Sequence, residues 1–201
     1  MKKRIMLLLA ALMTLLSCAE IGNEFDNPWD ERGTNYYTYT GQTVTIGGKV
    51  WMAENLNRAT ANSKCYGNDA SNCAKYGRLY TWFDAKNACP VGWHLPSDAE
   101  WTTLTDFVGG SSTAGTKLKA TSGWYNNGNG KDEYGFSALP GGYGSSDGNF
   151  YYAGDGGFWW SATEYNAVNA WSRYMYYNLE GVDRHNYGKT LLFSVRCVAD
   201  Q

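Results

Sequence analysis

Residues 87–101 read NACPVGWHLPSDAEW. A cysteine, a histidine and two carboxylates packed this closely look at first like an active site. The punctuation of the stretch argues instead for a joint between two helices. Upstream, GRLYTWFDAKNA (77–88) carries Leu79, Trp82, Phe83 and Lys86 at helical spacing, and Pro90 halts that helix. Gly92 permits a turn, and Trp93 and Leu95 read as apolar plugs. Ser97-Asp98-Ala99-Glu100 is an S-x-x-E capping box. Trp101, Leu104 and Val108 continue at helical spacing, and Gly109-Gly110 closes the second helix. A catalytic Cys89–His94 pair would need a free thiolate beside a base, and a cysteine held in a disulfide is unavailable. His94 is expected to make a structural hydrogen bond.

The chain has 201 residues and opens MKKRIMLLLAALMTLLSCAE. Lys2, Lys3 and Arg4 precede an apolar run from Ile5 to Leu16. That run is short for a membrane span and has the layout of a signal peptide over 1–17. Leu15-Leu16-Ser17-Cys18 resembles a lipobox, which would make Cys18 a lipidated new N-terminus. The expected consequence is an exported protein held at a bacterial membrane by acyl chains. Residues 18–40 are polar and aperiodic, a tether to a domain over 41–201. Losing three cations and no carboxylate with the leader moves the net charge from −2 to −5. Nucleic-acid binding is therefore not expected.

Besides Cys18 the chain has Cys65, Cys73, Cys89 and Cys197. An even number in an exported chain suggests two disulfides, with three connectivities open. Nine Trp, sixteen Tyr and seven Phe indicate a core built from rings. TYTGQTVTIGGKVWMAENL (38–56) alternates as a hairpin turning at Gly47-Gly48, with Val44, Ile46, Val50 and Met52 as its alternating apolar positions. FSALP (136–140) reads as a short strand. In WSRYMYYNL (171–179), Trp171, Arg173, Met175, Tyr177 and Leu179 share a face, and Phe193, Val195 and Cys197 share another.

No P-loop, dinucleotide fingerprint, nucleophile elbow or HExxH pattern occurs. Asp132, Glu133, Asp147 and Asp155 could offer oxygens to calcium but do not form the D-x-[DN]-x-[DN]-G loop, so calcium is unsupported by motif and no cofactor is expected. The Gly-rich loops do carry rings. Trp124, Tyr125, Tyr143, Tyr151 and Tyr152 are candidate ligand-binding residues, since exposed rings can stack on the apolar faces of sugars.

IGGKVWMAENLN (46–57), YGRLYTWFDAKNACPVGWHLPSDAEWTTL (76–104), YGFSALPGGYG (134–144), FWWSATE (158–164) and SVRCVAD (194–200) resemble the Fibrobacter succinogenes major paralogous domain family. That family is similar to C-type lectin-like domains and to the sulfatase-modifying, formylglycine-generating domains. The resemblance implies an α+β, C-type lectin-like fold: two helices flanking a small antiparallel sheet, a long irregular loop region, and neighbouring termini. It also implies a Cys89–Cys197 disulfide, leaving Cys65 to pair with Cys73. The lectins' Glu-Pro-Asn or Gln-Pro-Asp calcium motif is missing, so calcium-dependent sugar binding is not inherited. The oxidases' pair of catalytic cysteines is missing too. The expected function is that of a non-enzymatic, lipid-anchored envelope module recognising a glycan or a surface protein. The alternatives are a degenerate sulfatase-modifying-type enzyme and a structural envelope protein.

Overall fold

A computed structural model describes residues 37–201. The leader, Cys18 and most of the tether lie outside the described residues. The chain is α+β, with strands in the majority. In order come β1 (Thr43–Ile46), β2 (Lys49–Met52), α1 (Ala70–Tyr76), β3 (Leu79–Tyr80), α2 (Trp82–Ala88), β4 (Trp93–His94), α3 (Asp98–Phe107) and α4 (Ala114–Leu118). Then follow β5 (Gly141–Gly144), β6 (Phe150–Ala153), β7 (Gly156–Glu164), β8 (Asn169–Tyr176), β9 (Asp183–Gly188), β10 (Phe193–Ser194) and β11 (Val198–Ala199).

The strands make two sheets. The smaller has the order β1-β2-β11-β4 and is antiparallel throughout. It places the C-terminal strand beside the N-terminal hairpin, as expected of neighbouring termini. The larger sheet is mixed. One edge of β7 pairs antiparallel with β8, which pairs with β9. The other edge pairs in parallel with β5 at Gly157 and with β10 at Trp159. The expectation of two helices on a small antiparallel sheet is therefore corrected to four α-helices and two sheets among the described residues.

Both faces of β7 are buried, and period-2 alternation divides the core there. Trp159 faces one cluster with Trp51, Trp101, Phe136 and Met175. Phe158 and Trp160 face a second, with Tyr80, Trp82, Phe193 and Cys197. Trp51, Trp82, Trp101, Trp159 and Trp160 are all fully buried, so rings do form the core. Their indole N–H groups tie segments together: Trp82 donates to the Ser161 carbonyl, Trp101 to Trp160, Trp160 to Tyr80, and Trp159 to Asn55 Oδ1. Each of these four donors thus keeps a partner while its ring is desolvated, whereas the buried Trp51 indole N–H has none among the described residues.

The 87–101 stretch is a joint. α2 ends at Ala88 and Gly92 turns the chain with φ +79. β4 pairs with β11, and α3 begins at Ser97 with both halves of its capping box formed. Disulfides Cys89–Cys197 and Cys65–Cys73 are both present. Some local readings need correcting. The helix expected from residue 77 starts only at Trp82, because Leu79–Tyr80 is drawn into a strand against β10 and Thr81 caps the helix by accepting from Asp84 N. On β2 the inward residue is Trp51, paired across from Val44, while Val50 is exposed and Met52 enters the other cluster. Residues 136–140 contribute a single bridge at Ala138, and β8 ends before Tyr177 and Leu179.

His94 has the structural role expected of it. Its Nδ1 lies 2.6 Å from Asp200 Oδ1 and its Nε2 lies 3.0 Å from Glu100 Oε1. Lys49 Nζ reaches the same Glu100 oxygen at 3.2 Å. The first sheet, the C-terminus and α3 meet at this charge cluster. Burial pushes the His94 pKa down, but the Asp200 and Glu100 hydrogen bonds outweigh it and the net shift is upward from 6.5. Burial raises Glu100, yet the Ser97 amide, His94, the Ser97 hydroxyl and Lys49 bring it down to about 2. A raised histidine stabilises below its unfolded pKa and loses that effect as pH rises through the folded one. A depressed carboxylate stabilises above its unfolded pKa and loses that effect as pH falls. Stability should therefore be greatest between the ordinary values of Glu and His, 4.5 and 6.5, and should decline on both sides. Urea midpoints across pH will show this, and His94→Gln should remove the alkaline decline. Identical alkaline limbs in the two proteins would refute the assignment.

Candidate functional site

The sequence-selected rings do not all face solvent. Trp124 is only 4% exposed, and its indole N–H donates to the Ala138 carbonyl at 3.0 Å. It belongs to the core and leaves the candidate set: a Trp in a Gly-rich loop can still be the loop's inward anchor. Tyr125 is exposed and meets Tyr177 edge-on, with centroids 5.4 Å apart.

Tyr143, Tyr151 and Tyr152 come together on the β5–β6 hairpin. The Tyr143 ring lies 5.5 Å from Tyr151 and 5.9 Å from Tyr152. Consecutive residues of a regular strand point to opposite faces, so one ring should not normally meet both. The backbone explains it. Tyr152 has φ +65, and Gly142, between its cross-strand neighbours, has the same φ. A Cβ on Gly142 would sit 2.3 Å from the Tyr151 carbonyl oxygen, so only glycine fits there. A left-handed tyrosine costs on the order of 1–3 kcal/mol. This strain accompanies the arrangement that gathers the rings.

The larger sheet extends the cluster. Tyr152 meets Tyr176 of β8 at 5.7 Å, Tyr176 meets Tyr174 at 5.5 Å, and Phe158 forms a buried floor in contact with both. Tyr187 of β9 closes the far edge over Phe158 and Phe193. Tyr174, Tyr176 and Tyr187 are functional candidates that sequence reasoning missed. The signal was available, because Ser172, Tyr174 and Tyr176 are the opposite face of the strand read through Arg173 and Met175.

Beside Tyr152 and Tyr176 the surface sinks into an open depression of about 500 Å³, walled also by Asp155, Tyr177, Asn178 and Leu179. The hydroxyls influence one another. Burial, followed by Tyr187, Tyr152, Tyr174 and Tyr143, pushes Tyr176 up to about 12. Burial, then Tyr152, Tyr151 and Asp147, raises Tyr143, and burial followed by Asp183 raises Tyr174. Such hydroxyls stay protonated at neutral pH and can both donate and accept hydrogen bonds. Rings with polar tips lining one concavity suit a ligand with an apolar face and a polar rim.

A family model, the Fibrobacter succinogenes major domain, matches residues 44–199. The chain belongs to that family. No curated protein and no solved structure matches it.

In this Fibrobacter succinogenes major domain the groups of the 87–101 stretch are dispersed. Cys89 is bonded to Cys197, His94 sits between Asp200 and Glu100, and Asp98 holds Arg173 and Arg184 at 2.6 and 2.9 Å. Burial alone would raise the Asp98 pKa, and the two guanidinium groups bring it below the usual value. The four described cysteines are all in disulfides. No group of three or more His, Cys, Asp or Glu side chains is placed to hold a metal ion among the described residues. Two disulfides indicate an extracellular or envelope location, and no helix among the described residues is long and apolar enough to cross a membrane.

Proposed function

We propose that this protein is a non-enzymatic, lipid-anchored binding module of the bacterial cell envelope with a C-type lectin-like architecture, and that it binds glycan through its tyrosine face. The supporting observation is the convergence of Tyr143, Tyr151, Tyr152, Tyr174 and Tyr176 beside one open depression. The leader, Cys18 and the tether support the anchor. Pyranose rings have apolar C–H faces and hydroxyl rims, which match stacked rings edged by phenol hydroxyls, a carboxylate and an amide.

The test is retention of the full chain on a glycan array and on insoluble cellulose and xylan. Tyr152→Ala and Tyr176→Ala should each weaken binding roughly tenfold, the equivalent of about 1.4 kcal/mol. Unchanged thermal melts would show that the fold is kept. Absence of retention on every polysaccharide would overturn the glycan reading. Capture of an envelope protein that depends on Tyr152 and Tyr176 would replace it with protein recognition.

A further inference from the structure

We infer that the tyrosine face prefers a glycan bearing protonated amino groups, held between its rings and the carboxylates at the two ends of the row Asp183–Tyr174–Tyr176–Tyr152–Asp155. The inference rests on the glycan reading above and adds the sign of the ligand's charge. Tyr174 pairs across the strands with Asp183, whose carboxylate lies close enough to act on its hydroxyl. Tyr174, Tyr176 and Tyr152 then follow at centroid spacings of 5.5 and 5.7 Å. Asp155 lies at the other end, lining the depression with Tyr152. Neither the Asp155 carboxylate nor the Asn178 amide has a side-chain hydrogen bond or ion pair among the described residues. Both are free for a ligand.

The surrounding charges favour a cation. Asp147 lies close enough to influence Tyr143, and Glu180 follows the Tyr176–Leu179 wall. No Lys or Arg lines the depression among the described residues. Arg184 stacks 3.2 Å from the Trp171 ring centroid on the opposite face and is bound to Asp98. Lys119 is the cation beneath the wall. Its Nζ donates to the Tyr176 and Leu179 carbonyls and lies 5.1 Å from the Trp124 ring centroid, within the protein. His185 stands at the Tyr187 edge with Nδ1 against the Asn186 carbonyl. Phenol faces carry negative quadrupole density and attract ammonium groups, and a carboxylate at the edge adds a direct charge pair. An anionic sugar would meet Asp155 and Asp183 without a compensating cation.

Two probes share one backbone and differ in charge: a glucosamine oligomer and its fully N-acetylated counterpart. Binding of the full chain is measured by calorimetry at a pH where the free amines are protonated. The glucosamine oligomer should bind roughly tenfold more tightly, and added salt should narrow the gap. Asp155→Asn with Asp183→Asn should abolish the preference while leaving the thermal melt unchanged. Equal affinity for both probes, or preference for the acetylated one, overturns the charge inference. If Tyr152→Ala still weakens both in that case, the glycan reading survives. Failure of both probes overturns the inference as well, and the array then decides the glycan reading separately.

Discussion

Replacing Cys89 and Cys197 together by serine is expected to lower the unfolding free energy by roughly 2–5 kcal/mol and Tm by on the order of 10 °C. The bridge joins the end of α2 to the residue before β11, across a sequence separation of 108. In the chain-entropy picture, closing a loop of that size is worth about 4.8 kcal/mol. The Cys65–Cys73 bridge has a sequence separation of only 8 and would be worth about 2.5 kcal/mol. Serine pairs at the two bridges should therefore differ by about 2 kcal/mol, readable by calorimetry. The native state adds to the asymmetry. Cys197 is fully buried in the ring cluster around Phe158 and Trp160, whereas Cys65 is partly exposed beside a surface turn. Equal losses from the two double variants would show that the long bridge merely decorates a core that is sufficient without it.

What the sequence made legible follows the range of the interactions. The Ser97–Glu100 capping box and the Gly47-Gly48 turn are local: their partners lie within three or four residues, and both form as read. The β3–β10 and β7–β10 pairings join segments far apart in the chain through two-residue strands, too short to show a period. For the same reason Leu79 and Tyr80 looked like the first turn of a helix. At the candidate site, Tyr143, Tyr151 and Tyr152 stood out because glycines surround them. Trp124 stood out for the same reason but points inward, since its indole N–H has the Ala138 carbonyl to satisfy it there. Tyr174 and Tyr176 escaped because Arg173 and Met175 alternate with them and drew the reading to the other face. Arg173 is itself buried, paired with Asp98, so that face is mixed in chemistry although it is internal.

Arg196→Met should be as damaging as loss of the long disulfide, at about 3–5 kcal/mol. Arg196 is fully buried and makes no ion pair among the described residues, with Glu54 and Asp132 acting on it only from a distance. Burial lowers its pKa to about 9, which leaves it charged at neutral pH. Its fork instead binds the Asn55 side chain and main-chain carbonyls. Nε and Nη2 donate to Asn55 Oδ1 at 3.1 and 2.8 Å, and Nη1 donates to the Met52 carbonyl at 3.2 Å and to the Phe136 carbonyl. The guanidinium carbon lies 4.4 Å from the Phe136 ring centroid. One side chain therefore fastens the end of β2, the Asn55 turn and the segment leading into β5. Methionine would keep much of the volume and leave the Met52 and Phe136 carbonyls buried without that donor, each a penalty of roughly 1–3 kcal/mol. Arg196→Lys keeps the charge but has a single ammonium, which cannot span these acceptors as a planar fork does. It should lose nearly as much as Arg196→Met in urea unfolding. A lysine variant within about 1 kcal/mol of wild type would instead mean that charge alone suffices. Residues 136–140 run directly into Gly141 and Tyr143, so the Arg196 fork also sets where the tyrosine face begins. If the proposed glycan reading holds, a folded Arg196→Lys protein is expected to bind glycan more weakly than wild type, because the fork holds the Phe136 and Ser137 carbonyls just ahead of β5.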